Sequence, residues 1–180
     1  MKMETSKVSV LRECKFKCVE KRPGFYRWWF KKEAAQSLIK NMTGWLTEDD
    51  KFLIQNFDGE EYIALYFGIS KDMRGRIKWH ANQKHTSSTV SKGFLSTLRQ
   101  TLSALLETPM SQSYQAINDF IDCNCIWEWS YTDTCEAAHL VELSVLSQRD
   151  YYYPLNVKDN QTVHTDALKW LRQQRKEYRR

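Results

Sequence analysis

Apolar positions along this chain recur on two different periods, and the switches between them mark out its elements. Pro23-Gly24 breaks the chain ahead of "FYRWWF", an aromatic run of the kind that fills a buried strand. "KKEAAQSLIKNM", residues 31–42, is rich in helix formers and sets Ala35, Leu38, Ile39 and Met42 on one side. "KFLIQNFDGEEYIALYFG" offers two strand-like runs around Asp58-Gly59, a dipeptide suited to a tight hairpin turn. Beyond Gly68 a helix is expected, with Ser70 as its cap. Residues 94–106 place Phe94, Leu98, Leu102, Leu105 and Leu106 on one helical stripe that Pro109 closes. "SYQAINDFI" predicts a shorter helix, and "IWEWSY" alternates like a half-buried strand. "DTCEAAHLVELSVLSQ" predicts the last internal helix, and "YYYPLN" leaves it as an extended, proline-ended segment. Strand, helix, hairpin, helix, long helix, helix, strand, helix is the order of an α+β domain with a small, mainly antiparallel sheet.

Composition narrows this picture. The 180 residues suffice for one domain with a real core, and 42% hydrophobic against 27% charged residues suits a globular chain. No apolar run approaches the roughly 20 residues that a membrane crossing needs. "MKMETSKVSV" lacks the apolar centre of a signal peptide, so a cytoplasmic protein is expected. Five cysteines, at 14, 18, 123, 125 and 135, read as reduced thiols, and neither close pair has the usual zinc spacing.

The net charge of +5 is unevenly spread. Within residues 163–180, Lys169, Arg172, Arg175, Lys176, Arg179 and Arg180 face only Asp166 and Glu177, while Leu168 and Leu171 share an apolar side. This predicts a basic C-terminal helix over 158–180 and a polyanionic partner. A second basic cluster, Lys71, Arg74, Arg76 and Lys78, lies in "LYFGISKDMRGRIKWH" with Asp72 as its one acid.

The chemistry concentrates around that second cluster. Tyr26 and Tyr66 end two strand-like runs, and a helix opening beyond Gly68 would offer free amides and a dipole to an anion. Arg76 lies eight residues past Gly68 and His80 four past Arg76, so the two share a helix face. A phenol, a guanidinium and an imidazole around one pocket suit a phosphate under attack. Lys71, Arg74 and Lys78 read as residues that contact a phosphate backbone or stay solvated, and Arg172 and Arg175 as further nucleic-acid contacts.

"GFY" (24–26) and "YFG" (66–68), followed by Arg76, His80, Glu142 in "ELSVL" and Asn156 in "YYYPLN", resemble the GIY-YIG nuclease family. The resemblance implies a three-stranded sheet flanked by helices, within a nuclease domain spanning 24–157. Residues 1–23 are then an N-terminal extension, and 31–60 an insertion between the motif strands. It further implies a divalent-metal-dependent endonuclease that hydrolyses phosphodiester bonds, in DNA ahead of RNA. Tyr66 or Tyr26 would be the general base and Arg76 would stabilise the transition state. Glu142 would hold Mg²⁺ or another divalent cation such as Mn²⁺, His80 would position the phosphate or assist proton transfer, and Asn156 would order the site. Glu136 competes with Glu142, but its distance from Asp133 is that of a capping box. His85 ranks below His80. Two features depart from the family pattern: 39 residues separate the tyrosines, and Ile69 stands where some members carry a lysine that Lys71 would have to replace. The alternatives are a nucleic-acid-binding module without turnover, or an interaction protein whose aromatic residues only build a core.

Overall fold

In the computed structural model, which describes residues 2–48, 51–148 and 150–179, the chain opens with strand β1 (Glu4–Lys7) and helix α1 (Val8–Glu13). Arg180 of the basic tail lies outside the described residues. The aromatic run forms β2 (Gly24–Lys31), and the helix formers after it form α2 (Lys32–Ile39), prolonged by a 3-10 turn over Lys40–Trp45. The hairpin follows as β3 (Ile54–Phe57) and β4 (Glu60–Ser70), and its turn uses positive φ at Asp58 and Gly59. Then come α3 (Met73–Asn82), α4 (Ser87–Ser91), α5 (Thr97–Leu105), α6 (Tyr114–Asn124), β5 (Cys125–Tyr131), α7 (Cys135–Ser147) and α8 (Thr165–Glu177).

The class is α+β, but the sheet has five strands in the order β1-β5-β2-β4-β3, every pair antiparallel, where three were expected. The two additions are the edges. Residues 4–7 alternate half-buried and exposed, a weak signal, and pair with β5. Residues 54–57 complete the hairpin on β4. β5 is buried along nearly its whole length and not half-buried, because helices cover both faces of the sheet.

Three local expectations are corrected. Asp72, not Ser70, caps α3 by accepting from the Gly75 amide, because β4 runs on through Ser70. Thr134, not Asp133, caps α7. Phe94 is 62% exposed and lies outside α5, whose buried stripe is carried by Leu98 and Leu102.

Tyr26, Trp28, Phe30, Leu65 and Trp127 pack with α1, α2, α3, α5, α6 and α8 on one face. Phe25, Trp29, Ala64, Phe67 and Ile126 pack with α7 and Tyr153 on the other. One irregularity decides where Tyr66 points. Trp28 pairs with Tyr66 while Trp29 pairs with Ala64, so Leu65 has no partner and bulges. An extra residue inverts the alternation beyond it, as bulges beside functional sites commonly do. Leu65 and Tyr66 therefore both join the Tyr26 face. All five cysteines are free, and no helix among the described residues is long and apolar enough to cross a membrane.

Candidate active site

β2 and β4 run side by side with Tyr26 opposite Gly68 and Trp28 opposite Tyr66, which makes the two tyrosines diagonal neighbours despite their distance in sequence. Their rings stack with centroids 6.3 Å apart. Gly68 is required here: a Cβ at that position would stand 2.6 Å from the Tyr26 hydroxyl and 2.8 Å from Cζ. Gly24 has a similar constraint, since a Cβ there would overlap the Ser130 carbonyl oxygen of β5.

β3 covers β4 only from Glu60 to Ile63, so the far half of β4 is a sheet edge. The segment after α7 closes part of it. Leu155 donates its amide to the Leu65 carbonyl, and the Asn156 side chain acts as a substitute peptide. Its Oδ1 accepts from the Phe67 amide at 2.8 Å, and its Nδ2 donates to the Phe67 carbonyl at 2.7 Å. Both hydrogen-bonding ends of Asn156 are thus spent on the strand between Tyr66 and Gly68.

Beyond this clamp a cleft of about 640 Å³ opens, walled by Tyr26, Tyr66, Arg76, Glu142 and Asn156, with Arg172 and Arg175 of α8 across from them. With Lys158 it presents four basic side chains against two carboxylates, Glu142 and Asp159. Among the described residues the Arg76 guanidinium has no hydrogen-bond or ion-pair partner. Arg172 donates to the Val157 carbonyl, and Arg175 to Gln100 Oε1. Burial and the neighbouring Arg179 lower the Arg175 pKa.

His80 is only 1% exposed and stands behind Tyr26, so it reaches the cleft through that ring. Its Nε2 lies 2.8 Å from the Tyr26 hydroxyl and its Nδ1 2.7 Å from Ser96 Oγ. Burial, reinforced by Arg76 and Arg99, holds its pKa well below the ordinary histidine value, so the ring is neutral. Burial raises the pKa of both tyrosines, and Arg76 opposes that rise in each. Glu142 sits on the half-buried side of α7; burial raises its pKa, and His139, 3.7 Å away, works against this. Among the described residues no three His, Cys, Asp or Glu side chains gather into a metal-binding cluster.

The remaining basic candidates stand elsewhere. Lys71 and Lys78 are exposed and off the cleft wall. Arg74 donates to the carbonyls of Val19 and Lys17 and ties the N-terminal segment to α3. Glu136 is exposed outside the cleft. His85 is bound into a buried arginine network: its Nε2 accepts from Arg99 Nε, so Nδ1 carries the proton towards the Met110 carbonyl.

α5 and its cap contribute side chains to the site that no sequence motif marks. Ser96 reaches His80, Thr97 Oγ1 lies 3.1 Å from the Tyr66 hydroxyl, and Arg99 donates to the His80 carbonyl. Ser96 lies within the helix expected over 94–106, and only the later start of α5 at Thr97 makes it a cap. Nothing local shows that its cap side chain also meets the α3 histidine.

Neither the comparison with curated proteins nor that with solved structures returned a match. The model of the GIY-YIG catalytic domain matches residues 24–177, from the glycine ahead of Tyr26 to the end of α8. Two stacked tyrosines, a cleft arginine and a glutamate facing them thus occur in a chain that belongs to the GIY-YIG family, whose catalytic domain is a nuclease-type hydrolase of nucleic acid.

Proposed function

We propose that this chain is a divalent-metal-dependent endonuclease that hydrolyses phosphodiester bonds in DNA. The observation that carries this reading is Arg76: a guanidinium without a hydrogen-bond or ion-pair partner among the described residues, on the wall of a cleft that has excess positive charge and also holds Glu142. An arginine left unpaired beside two buried phenols is poised for an anion, and its planar fork matches phosphate oxygens.

In the reaction, a water oxygen attacks phosphorus and the bond to the leaving ester oxygen breaks. The Tyr26–Tyr66 pair takes the proton from water. A buried phenol resists ionisation, so the cations that oppose burial matter most. Arg76 meets the charge that develops on the phosphoryl oxygens, and Arg172 and Arg175 hold the strand from the α8 side. Asn156 holds the β4 backbone at Phe67, next to Tyr66. Glu142 is the residue that would hold the metal. Its single half-buried carboxylate, open to the cleft, fits a hard ion such as Mg²⁺ that keeps several waters. When bound, that ion supplies Lewis-acid stabilisation of the leaving oxygen.

The test is incubation of supercoiled plasmid with Mg²⁺, with Mn²⁺ and with EDTA, using the natural chain, Arg76→Ala and Glu142→Ala. Nicking is expected with metal, and a loss of about 10²–10³-fold in rate for Arg76→Ala. Absence of nicking, or nicking that persists unchanged in both variants, refutes the proposal. Retention of DNA without nicks would identify a binding module instead.

A further inference from the structure

The chemistry proposed above leaves one question open: on which nitrogen does neutral His80 carry its single proton? Both ring nitrogens are hydrogen-bonded, Nε2 to the Tyr26 hydroxyl and Nδ1 to Ser96 Oγ. The bonding of Ser96 decides between them. Ser96 is 2% exposed, and its Oγ already accepts from the Arg99 amide at 3.2 Å as the cap of α5. Its hydroxyl hydrogen needs an acceptor, and His80 Nδ1 is the only other group within reach among the described residues.

Consider the two arrangements in turn. With the proton on Nδ1, the imidazole donates to Ser96, whose own O–H is then buried without an acceptor. Leaving such a donor unmade biases the equilibrium by about tenfold or more. With the proton on Nε2, Ser96 donates to Nδ1 and accepts from Arg99, and His80 donates to Tyr26. Ser96, the Arg99 amide and His80 are then all satisfied, and the one hydrogen left over belongs to Tyr26, which lines the open cleft whereas buried Ser96 does not. The Tyr26 hydrogen is left to point towards Tyr66 and the cleft.

We propose that Ser96 is a positioning residue: it fixes the His80 proton on Nε2, so that the imidazole donates to the Tyr26 oxygen and does not accept from it. The consequence for the site is one of direction. A hydrogen bond given to the phenol oxygen favours its ionised form, whereas one accepted from it holds the phenol neutral. Burial, with the cations facing His80, Arg76 from its own helix and Arg99 from α5, keeps a second proton off the ring. The rings of Tyr26, Tyr66 and Trp28 surround it.

This rests on the nuclease reading only for its effect on rate, since the tautomer itself is observable without turnover. The experiment is ¹⁵N NMR of the full-length natural chain at neutral pH, with Ser96→Thr and Ser96→Asp alongside. The natural chain and Ser96→Thr should show His80 protonated at Nε2. Ser96→Asp keeps a good helix cap but offers only an acceptor in its charged form, so the proton should move to Nδ1. In the plasmid assay Ser96→Thr should retain activity. Ser96→Asp should lose about tenfold or more in kcat, with KM within about twofold, because the substrate-contacting groups are untouched. His80 protonated at Nδ1 in the natural chain overturns the proposal outright, whether or not the variants fold. An Nε2 tautomer that moves in Ser96→Asp without any change in rate overturns its effect on Tyr26. The expected tautomers with no cleavage by any form would refute the nuclease reading and leave the assignment of the proton standing.

Discussion

Replacing Gly68 by alanine tests the geometry of the tyrosine pair independently of any substrate. The added Cβ would stand 2.6 Å from the Tyr26 hydroxyl and 2.8 Å from Cζ, against about 3.4 Å for ordinary contact. The backbone on either side is held: Gly68 pairs with Tyr26 in the sheet, and Asn156 clamps Phe67 next to it. The ring must therefore retreat by several tenths of an ångström, into a space already filled by Trp127 and His80. Overpacking of this kind costs about 1–3 kcal/mol. Stretching the 2.8 Å bond between Tyr26 and His80 adds about 1 kcal/mol. At roughly 2–4 °C per kcal/mol for a chain of this size, Gly68→Ala should melt about 4–16 °C lower. Calorimetry measures this directly. The double variant Gly68→Ala/Tyr26→Phe removes the closest atom, so it should be less destabilised than the two single effects combined. A melting temperature within about 1 °C of the natural chain, or strict additivity in the cycle, would refute the account of why glycine stands there.

Two further outcomes follow from other parts of the site. Asn156→Leu keeps the volume but leaves the Phe67 amide and carbonyl without partners, and should cost about 2–5 kcal/mol in urea unfolding, with faster hydrogen exchange at Phe67. Asn156→Asp keeps the accepting oxygen and should cost less; equal losses would argue against the clamp. Stability should also fall as pH drops below about 6.5, because the unfolded chain protonates His80 and His85 before the folded one does. The His85 pKa is lowered to about 4 by burial and Arg99, which sets an upper limit of about 3 kcal/mol, reduced towards about 2 by solvent at this partly exposed ring. A denaturation midpoint that stays constant between pH 7 and 5 would contradict this linkage.

Much of the site was legible because its signals are local. An aromatic run after Pro-Gly reads as a buried strand, Asp58-Gly59 as a hairpin, and the four-residue step from Arg76 to His80 as one helix face. With Glu142 and Asn156 downstream in order, these were enough to point to the family that the domain match then showed. Of the two edge strands, β3 was legible as the first run of the hairpin, whereas β1 escaped notice because four residues of mixed polarity carry little periodic signal.

What the tertiary structure decided depends on groups distant in sequence. The bulge at Leu65 turns Tyr66 onto the Tyr26 face, a choice made by the register against β2 that no pattern within β4 reveals. In sequence Asn156 only ends the extended "YYYPLN" segment, and its place at the open edge of β4 makes it a substitute peptide. Ser96 falls inside the helix that the sequence predicts over 94–106, and only the structure makes it the cap of α5 with its hydroxyl on His80. Arg74 and Arg76, two residues apart on one helix, carry the same charge and nearly the same sequence context. One is spent on the carbonyls of Val19 and Lys17, while the other stands in the cleft without a hydrogen-bond partner among the described residues. Residue type and spacing determined which chemistry this chain could hold; the packing of helices against both faces of the sheet determined which of its charges remained free to use it.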